Sequence, residues 1–275
     1  MNSPLNIFRR QKKEVDPSLA RPKGVHQILE EQIDSSLHEF NRSNIGLFMS
    51  ALAAGLEIGF SVLFMGTIYT LFGGVLSPES LKLALALCYP LGFIFVIIGR
   101  SELFTEHTAL AILPVLNGSV TLRDLFKLWG LIYLGNIIGG YIFSFILSEL
   151  GTKIGFISDQ AIYHMAHELI NYSSSTIFVS ALFAGWMMGL LGWLLTSSQD
   201  TLSRIFLIIM VTTIIGITGL HHCVVGSIEV FTGFITSPDI SLFDYGRFQL
   251  WATFGNAIGG TVFVAILKYS HVRFN

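Results

Sequence analysis

Charge is what this sequence has least of. Only 12% of its 275 residues are charged, about half the share usual in a soluble domain. Leu83 to Gly99, Leu128 to Ser148, Thr176 to Thr196 and Phe248 to Leu267 carry no charge at all. Such lengths approach the roughly 20 apolar residues that a transmembrane helix needs. Between Lys153 and Arg204 there is neither Lys nor Arg. Cysteine is almost absent. Cys88 and Cys223 sit in apolar surroundings far apart, which points to packing, not to a disulfide or a metal pair. No phosphate-cradling P-loop or nucleotide fingerprint occurs, which excludes coupling to ATP within the chain. No Asn-Pro-Ala occurs either. A polar start of about 40 residues has no apolar core of the kind a cleavable signal carries.

What is present is hydrophobic length. With 52% hydrophobic residues, the chain reads as six spans at about 45–72, 81–99, 124–148, 174–196, 202–235 and 247–269. Ala109 to Leu116 reads as a re-entrant half-helix, and the fifth span reads as split. Lys and Arg cluster before the first span, around Arg123 and Lys127, at Arg204 and at the end of the chain. That bias places both termini in the cytoplasm. Residues 1–22 read as a disordered tail. Residues 23–43 read as an amphipathic helix at the interface or against the bundle, with Val25, Ile28, Leu29, Ile33, Leu37 and Phe40 at helical spacing.

Three strings recur in order. Ser50-Ala51-Leu52-Ala53-Ala54-Gly55 returns as Ser180-Ala181-Leu182-Phe183-Ala184-Gly185. Glu102-Leu103-Phe104-Thr105 returns as Glu229-Val230-Phe231-Thr232, and the Gly-Asn-x-Ile-Gly-Gly run at 135–140 returns at 255–260. The chain therefore reads as one three-span unit present twice, at 44–150 and 151–273. An odd span count turns the second copy upside down, an architecture in which working sites lie near the midplane at broken helices. The Gly-Asn strings read as close-packing sites whose Asn can bridge a neighbouring break.

The first break, Gly99 to Thr108, holds Arg100, Glu102, Glu106 and His107. Charges at that depth persist only if paired, hydrated or lining a cavity, at about 2.5–3.5 kcal/mol each on insertion scales. Arg100 with Glu102 or Glu106 is the pair expected. The second break runs from Ile217 to Glu229, with His221 and His222 between Gly219 and Gly226. One of the two histidines is expected to face a pathway, or both bond backbone carbonyls. Adjacent residues cannot both face one pore, and spacing does not choose between them. Glu57, in mid-span, reads equally as a helix-packing partner or as pore lining. Half-helices meeting at the midplane direct their positive N-terminal ends inward, which favours a small anion. A rival reading, a membrane metal protein, draws on Glu102, Glu106, His107, His164 and His167. The His-x-x-His-Glu order in the third-to-fourth loop differs from that of zinc hydrolases, so no metal and no other cofactor is expected.

Ser101-Glu102-Leu103-Phe104-Thr105 and Gly219-Leu220-His221-His222-Cys223-Val224-Val225-Gly226-Ser227 resemble the two signatures of the formate/nitrite transporter family. The resemblance covers roughly residues 25 to 270. It implies an aquaporin-like, all-α membrane protein of six helices in two inverted repeats, the second and fifth helices broken, assembled as a homopentamer with one pore per protomer. It implies a channel for a small monovalent anion or its weak acid in the cytoplasmic membrane, not an enzyme and with no nucleic-acid partner. Family members carry formate, nitrite, lactate or hydrosulfide. On this match His222 is the central histidine, Thr105 faces it, and the histidine exchanges a proton with the permeant. Leu103, Phe104 and Val224 become constriction candidates. Arg100, Glu102, Glu106 and Glu229 become charges that hold the loops. Arg100 stands in place of a Gly, His221 in place of a Glu, and the vestibule lysine before the fourth span is missing. The alternative cargo is a neutral solute such as water, glycerol or ammonia.

Overall fold

The computed structural model describes residues 22–274, so the expected tail at 1–22 lies, except for Pro22, outside the described residues. Helix α1 (Val25–Phe40) precedes the first span, α2 (Asn44–Phe72). The second span comprises α3 (Pro78–Cys88) and α4 (Pro90–Gly99), followed by short α5 (Phe104–Leu110) and α6 (Leu113–Leu116). The third comprises α7 (Leu122–Ile146), a π-helical stretch Leu147–Gly151 and α8 (Thr152–Ile154). Helix α9 (Asp159–Ile170) leads to the fourth span, α10 (Ser174–Ser197). The fifth, α11 (Thr201–Thr218), breaks and resumes as α12 (Val225–Thr236). The sixth comprises α13 (Leu242–Gly260), a π-helical stretch Thr261–Ile266 and α14 (Leu267–Arg273). Six helices are long and apolar enough to cross a membrane, and no strand occurs among the described residues.

Each span begins on a polar cap. Ser43 caps α2 and Ser173 caps α10; Ser77 caps α3 and Asp200 caps α11. Complete capping boxes open the third span of each half, Thr121 with Asp124 and Ser241 with Asp244. Each side-chain oxygen satisfies a backbone N–H that the helix leaves free, worth about 1 kcal/mol per cap. The corresponding caps recur in the same order in both halves. Between the halves, the segment holding His164 and His167 is not a loop. Ser158 accepts from the Ala161 N–H and starts α9, which buries Ala161, Ile162, Met165, Ala166 and Ile170.

The first and third spans of each half touch backbone to backbone. A Cβ on Gly55 would lie 2.2 Å from the Asn136 carbonyl oxygen, and one on Gly185 would lie 2.2 Å from that of Asn256. The reverse contacts are as tight: a Cβ on Gly139 would lie 2.3 Å from Leu52 O and one on Gly259 2.1 Å from Leu182 O. Lipid supplies no hydrophobic drive between helices, so such close approach of small residues is what holds them. The second span is kinked at Pro90, which lacks an N–H. Ser61 answers the disturbance by donating to the Tyr89 carbonyl at 2.6 Å and accepting from the Gly92 N–H at 2.8 Å.

Helix α1 docks on the bundle. Gln32 donates to Thr196 Oγ1 at 3.3 Å, Lys23 donates to the Thr196 carbonyl at 2.8 Å, and Ile28 and Leu29 are buried.

Candidate functional site

Both breaks are built to one plan. Each preceding helix ends on a left-handed residue, Arg100 (φ 59°) and Gly219 (φ 67°). In each, the next N–H returns to the helix, Ser101 to Val96 O at 2.9 Å and Leu220 to Ile215 O at 3.1 Å. An asparagine then clamps the extended strand. Asn136 accepts from Phe104 N–H and donates to Ala51 O and Glu102 O, all at 2.8 Å. Asn256 accepts from Cys223 N–H at 2.8 Å and donates to Ala181 O at 2.7 Å and His221 O at 3.0 Å. The bridging role expected of the Gly-Asn strings is thus played by both asparagines.

The clamps fix the true register of the repeat. Glu102 corresponds to His221, and Phe104 to Cys223. The match of Glu102-Leu103-Phe104-Thr105 with Glu229-Val230-Phe231-Thr232 is therefore a coincidence of letters. Glu102 precedes its half-helix, whereas Glu229 sits inside α12.

The two breaks meet at one bond. Thr105 Oγ1 and His222 Nε2 are 2.9 Å apart, fully enclosed. His222 Nδ1 lies 3.4 and 3.3 Å from the N–H groups of Val224 and Val225, which donate to it. That assigns the proton to Nε2, which donates to Thr105 and leaves the threonine hydroxyl hydrogen free. Phe93 stands edge-on to the imidazole, ring centres 5.2 Å apart and planes at 85°. Leu103 and Val224, the N-caps of the two half-helices, are wholly buried. Phe104 turns away, its ring edge-on to Trp129 and Tyr133. No sequence signal marks Phe93, which lies one turn into α4 and is buried there. The half-helix starts do not present bare N–H groups to an anion, because Asn136, Asn256 and the His222 ring occupy several of them.

Two cavities lie toward opposite ends of α2, and the distal one reaches this bond at His222. The distal one, about 490 Å³, is lined by Tyr69, Lys82, Tyr89, Glu168, His222 and Glu229. The proximal one, about 760 Å³, lies beneath α1 and is lined by Glu39, Arg42, Arg100, Glu102, Glu106 and His107. His221 is turned away: Nδ1 pairs with Ser180 Oγ at 2.8 Å and Nε2 with the Leu169 carbonyl at 3.0 Å. Of the two open alternatives, one histidine faces a cavity and its neighbour braces the break.

The charges differ from expectation in two respects. Arg100 is exposed on the proximal cavity and does not pair with Glu102 or Glu106. Glu102 takes Arg42 instead, at 2.5 Å, and His107 Nε2–H, also at 2.5 Å. Arg42 also holds Glu39 at 2.5 Å, which ties the end of α1 to the first break. Both Glu102 oxygens are occupied, Oε1 by Arg42 and Oε2 by His107. Glu229 holds no loop either; it opens on the distal cavity. Glu57 Oε2 is buried without a partner near Gly99. Outside the bilayer, the Lys23 hydrogen bond holds the Glu31 carboxyl below its ordinary range. Of the residues invoked for a metal centre, Glu102, Glu106 and His107 line the proximal cavity, while His164 stacks on Tyr69 and His167 on Tyr163. Cys88 and Cys223 are buried free thiols.

Against known proteins, the family model described as Formate/nitrite transporter matches residues 26–270. The inner membrane protein YfdC of Escherichia coli (strain K12) is 31% identical over 274 residues, covering 96% of this chain and 84% of that protein. The formate channel FocA of Haemophilus influenzae is 24% identical over 257 residues, covering 86% of this chain and 89% of its own. A solved pentameric formate channel with formate bound superposes with a TM-score of 0.69 at 20% identity, over 84% of this chain and 98% of that one.

Proposed function

The chain belongs to the formate/nitrite transporter family, and from that premise we propose that it is a multi-pass membrane channel for a small monovalent anion or its weak acid. It is a channel and not an enzyme. The observation that carries the reading is the enclosed Thr105–His222 bond, where the two broken helices meet beside the distal cavity. A permeant crossing there takes over that hydrogen bond. Phe93, Leu103 and Val224 make the surroundings apolar, so an ion loses its water without replacement, whereas a neutral acid keeps most of its solvation balance. His222 exchanges a proton with any permeant that arrives there as an anion, and Thr105 orients the permeant.

The excess of Lys and Arg around α1, Arg123 and Arg204 supports cytoplasmic termini in the inner membrane. The proximal cavity then faces the cytoplasm. The pentameric relative supports a homopentamer embedded in lipid. Exposed Phe126, Leu134, Phe183 and Phe206 are apolar enough to meet lipid or a neighbouring protomer.

The test is uptake of formate, nitrite and lactate into proteoliposomes, wild type against His222→Ala. A fall of at least tenfold in the variant is the expected result. Equal uptake in both would remove His222 from the pathway. Osmotic swelling in glycerol without any anion uptake would favour a neutral-solute pore instead.

A further inference from the structure

The distal cavity contains an ionisable group that the Thr105–His222 step leaves unused. Glu229 lies on α12, only 8% exposed, and lines the cavity with His222. Among the described residues no hydrogen bond or ion pair reaches its carboxyl. The groups facing the same space are Tyr89 and Lys82 from the second span, Tyr69 from α2, and His164 and Glu168 from α9. Lys82 and Glu168 are exposed, and the His164 ring is stacked on Tyr69 with centres 4.6 Å apart. On its other flank α12 meets hydroxyls already engaged: Ser227 with Tyr245 at 2.9 Å, and Tyr245 with Tyr141 at 2.6 Å. A carboxyl so enclosed, with no cation against it, is unusual at membrane depth and marks a functional group.

His222 is poorly placed to draw protons from this cavity. Its Nδ1 lone pair is taken by backbone N–H groups, and its Nε2 proton is committed to Thr105. A proton lost at Nε2 has to return through the cavity. Glu229 is the acid that stands there.

Resting on the channel reading above, we propose that Glu229 is the proton donor for permeants entering from the distal side, and that those permeants are weak monoprotic acids. The arriving anion accepts the carboxyl proton. The Glu229 O–H bond breaks as an O–H bond forms on the permeant, and the neutral acid moves on to Thr105 and His222. The Glu229 carboxylate then takes a proton from hydronium at the distal mouth, releasing water. No net charge enters the apolar constriction, where desolvating an ion is costly. A permanent anion gains nothing from this residue and is repelled by its ionised form.

The experiment uses full-length wild type, E229Q and E229D in proteoliposomes, with formate as probe and protein-free vesicles subtracted. Uptake driven from the distal side is followed as the pH on that side is lowered. Wild-type uptake is expected to rise with acidity; E229Q is expected to lose about tenfold at the acid end and to give a flat profile. E229D, which keeps an acid, is expected to keep the rise with a displaced midpoint. A merely structural Glu229 would lower uptake equally at every pH in both variants, and that outcome would overturn the proposal. So would an E229Q profile identical to wild type. If the wild type carries no formate, nitrite or lactate at all, the channel reading fails first and independently.

Discussion

The two breaks share a skeleton and differ in what they carry. Asn136 and Asn256 make the same three bonds, and Arg100 and Gly219 make the same left-handed turn. Beyond that, the first break is ionic: Glu39, Arg42, Glu102 and His107 run in one chain that binds α1. The second is neutral: His221 rests on a serine and a carbonyl, and His222 faces a cavity. Duplication therefore preserved the mechanical parts, which depend on backbone geometry. The side chains that set electrostatics differ between the two breaks. A clamp works in either half; a charge network works only where its partner helix lies, and α1 exists on one face alone.

The comparison can be broken most severely at the glycine contacts. Gly185→Leu places a side chain where a Cβ alone already meets Asn256 O at 2.2 Å. The expected result is about 3 kcal/mol or more of destabilisation and loss of the folded peak in detergent size exclusion. Gly192→Leu, with nothing within 4 Å of its Cβ position, is expected to keep that peak. If both variants survive, close backbone packing is not what joins the spans.

Next in size are the clamps. Asn136→Leu and Asn256→Leu each strand one N–H and one carbonyl of the break, at about 1–3 kcal/mol for each group left unsatisfied, while Ala51 O and Ala181 O keep their intrahelical bonds. Thermal melts should fall by similar amounts in the two variants. A large drop in only one would show that the halves do not bear equal load. Smaller again is Arg42→Ala, which frees α1 from Glu102 and leaves the second break untouched. Hydrogen exchange is expected to quicken about tenfold across 25–40 and to stay unchanged across 219–229. The smallest effect is Arg100→Gly. A left-handed conformation costs a non-glycine residue about 1–2 kcal/mol, so the variant should melt a few degrees higher, while Gly219→Arg should melt lower. No rise for Arg100→Gly would mean that its side chain recovers the strain by a contact.

Much of this was legible in the letters. Six spans, two breaks and the inverted repeat follow from hydrophobic length and from the Ser-Ala and Gly-Asn strings, because each string sits at a backbone contact that admits little else. The middle string misled, since Glu102 and Glu229 share neighbours in sequence and not a place in the fold. Thr105 and His222 came through the family resemblance; spacing alone left the two histidines equal, and only the bonds of His221 to Ser180 and Leu169 separate them. Phe93 was invisible because α4 is apolar throughout and nothing in it singles out one ring. Arg42 was equally invisible as the partner of Glu102, since nothing in a run of basic residues says which one folds back. Helix α9 reads as a loop in sequence because its polar residues, His164, His167 and Glu168, outweigh its narrow apolar face.

The polar caps carry a last implication. A serine or an aspartate that closes a helix start satisfies the same amides in either leaflet, so Thr121–Asp124 and Ser241–Asp244 are blind to direction. Lysine and arginine are not. Local helix grammar and membrane topology are thus written in separate alphabets, and a few relocated cations could invert a copied half without editing one of its hinges.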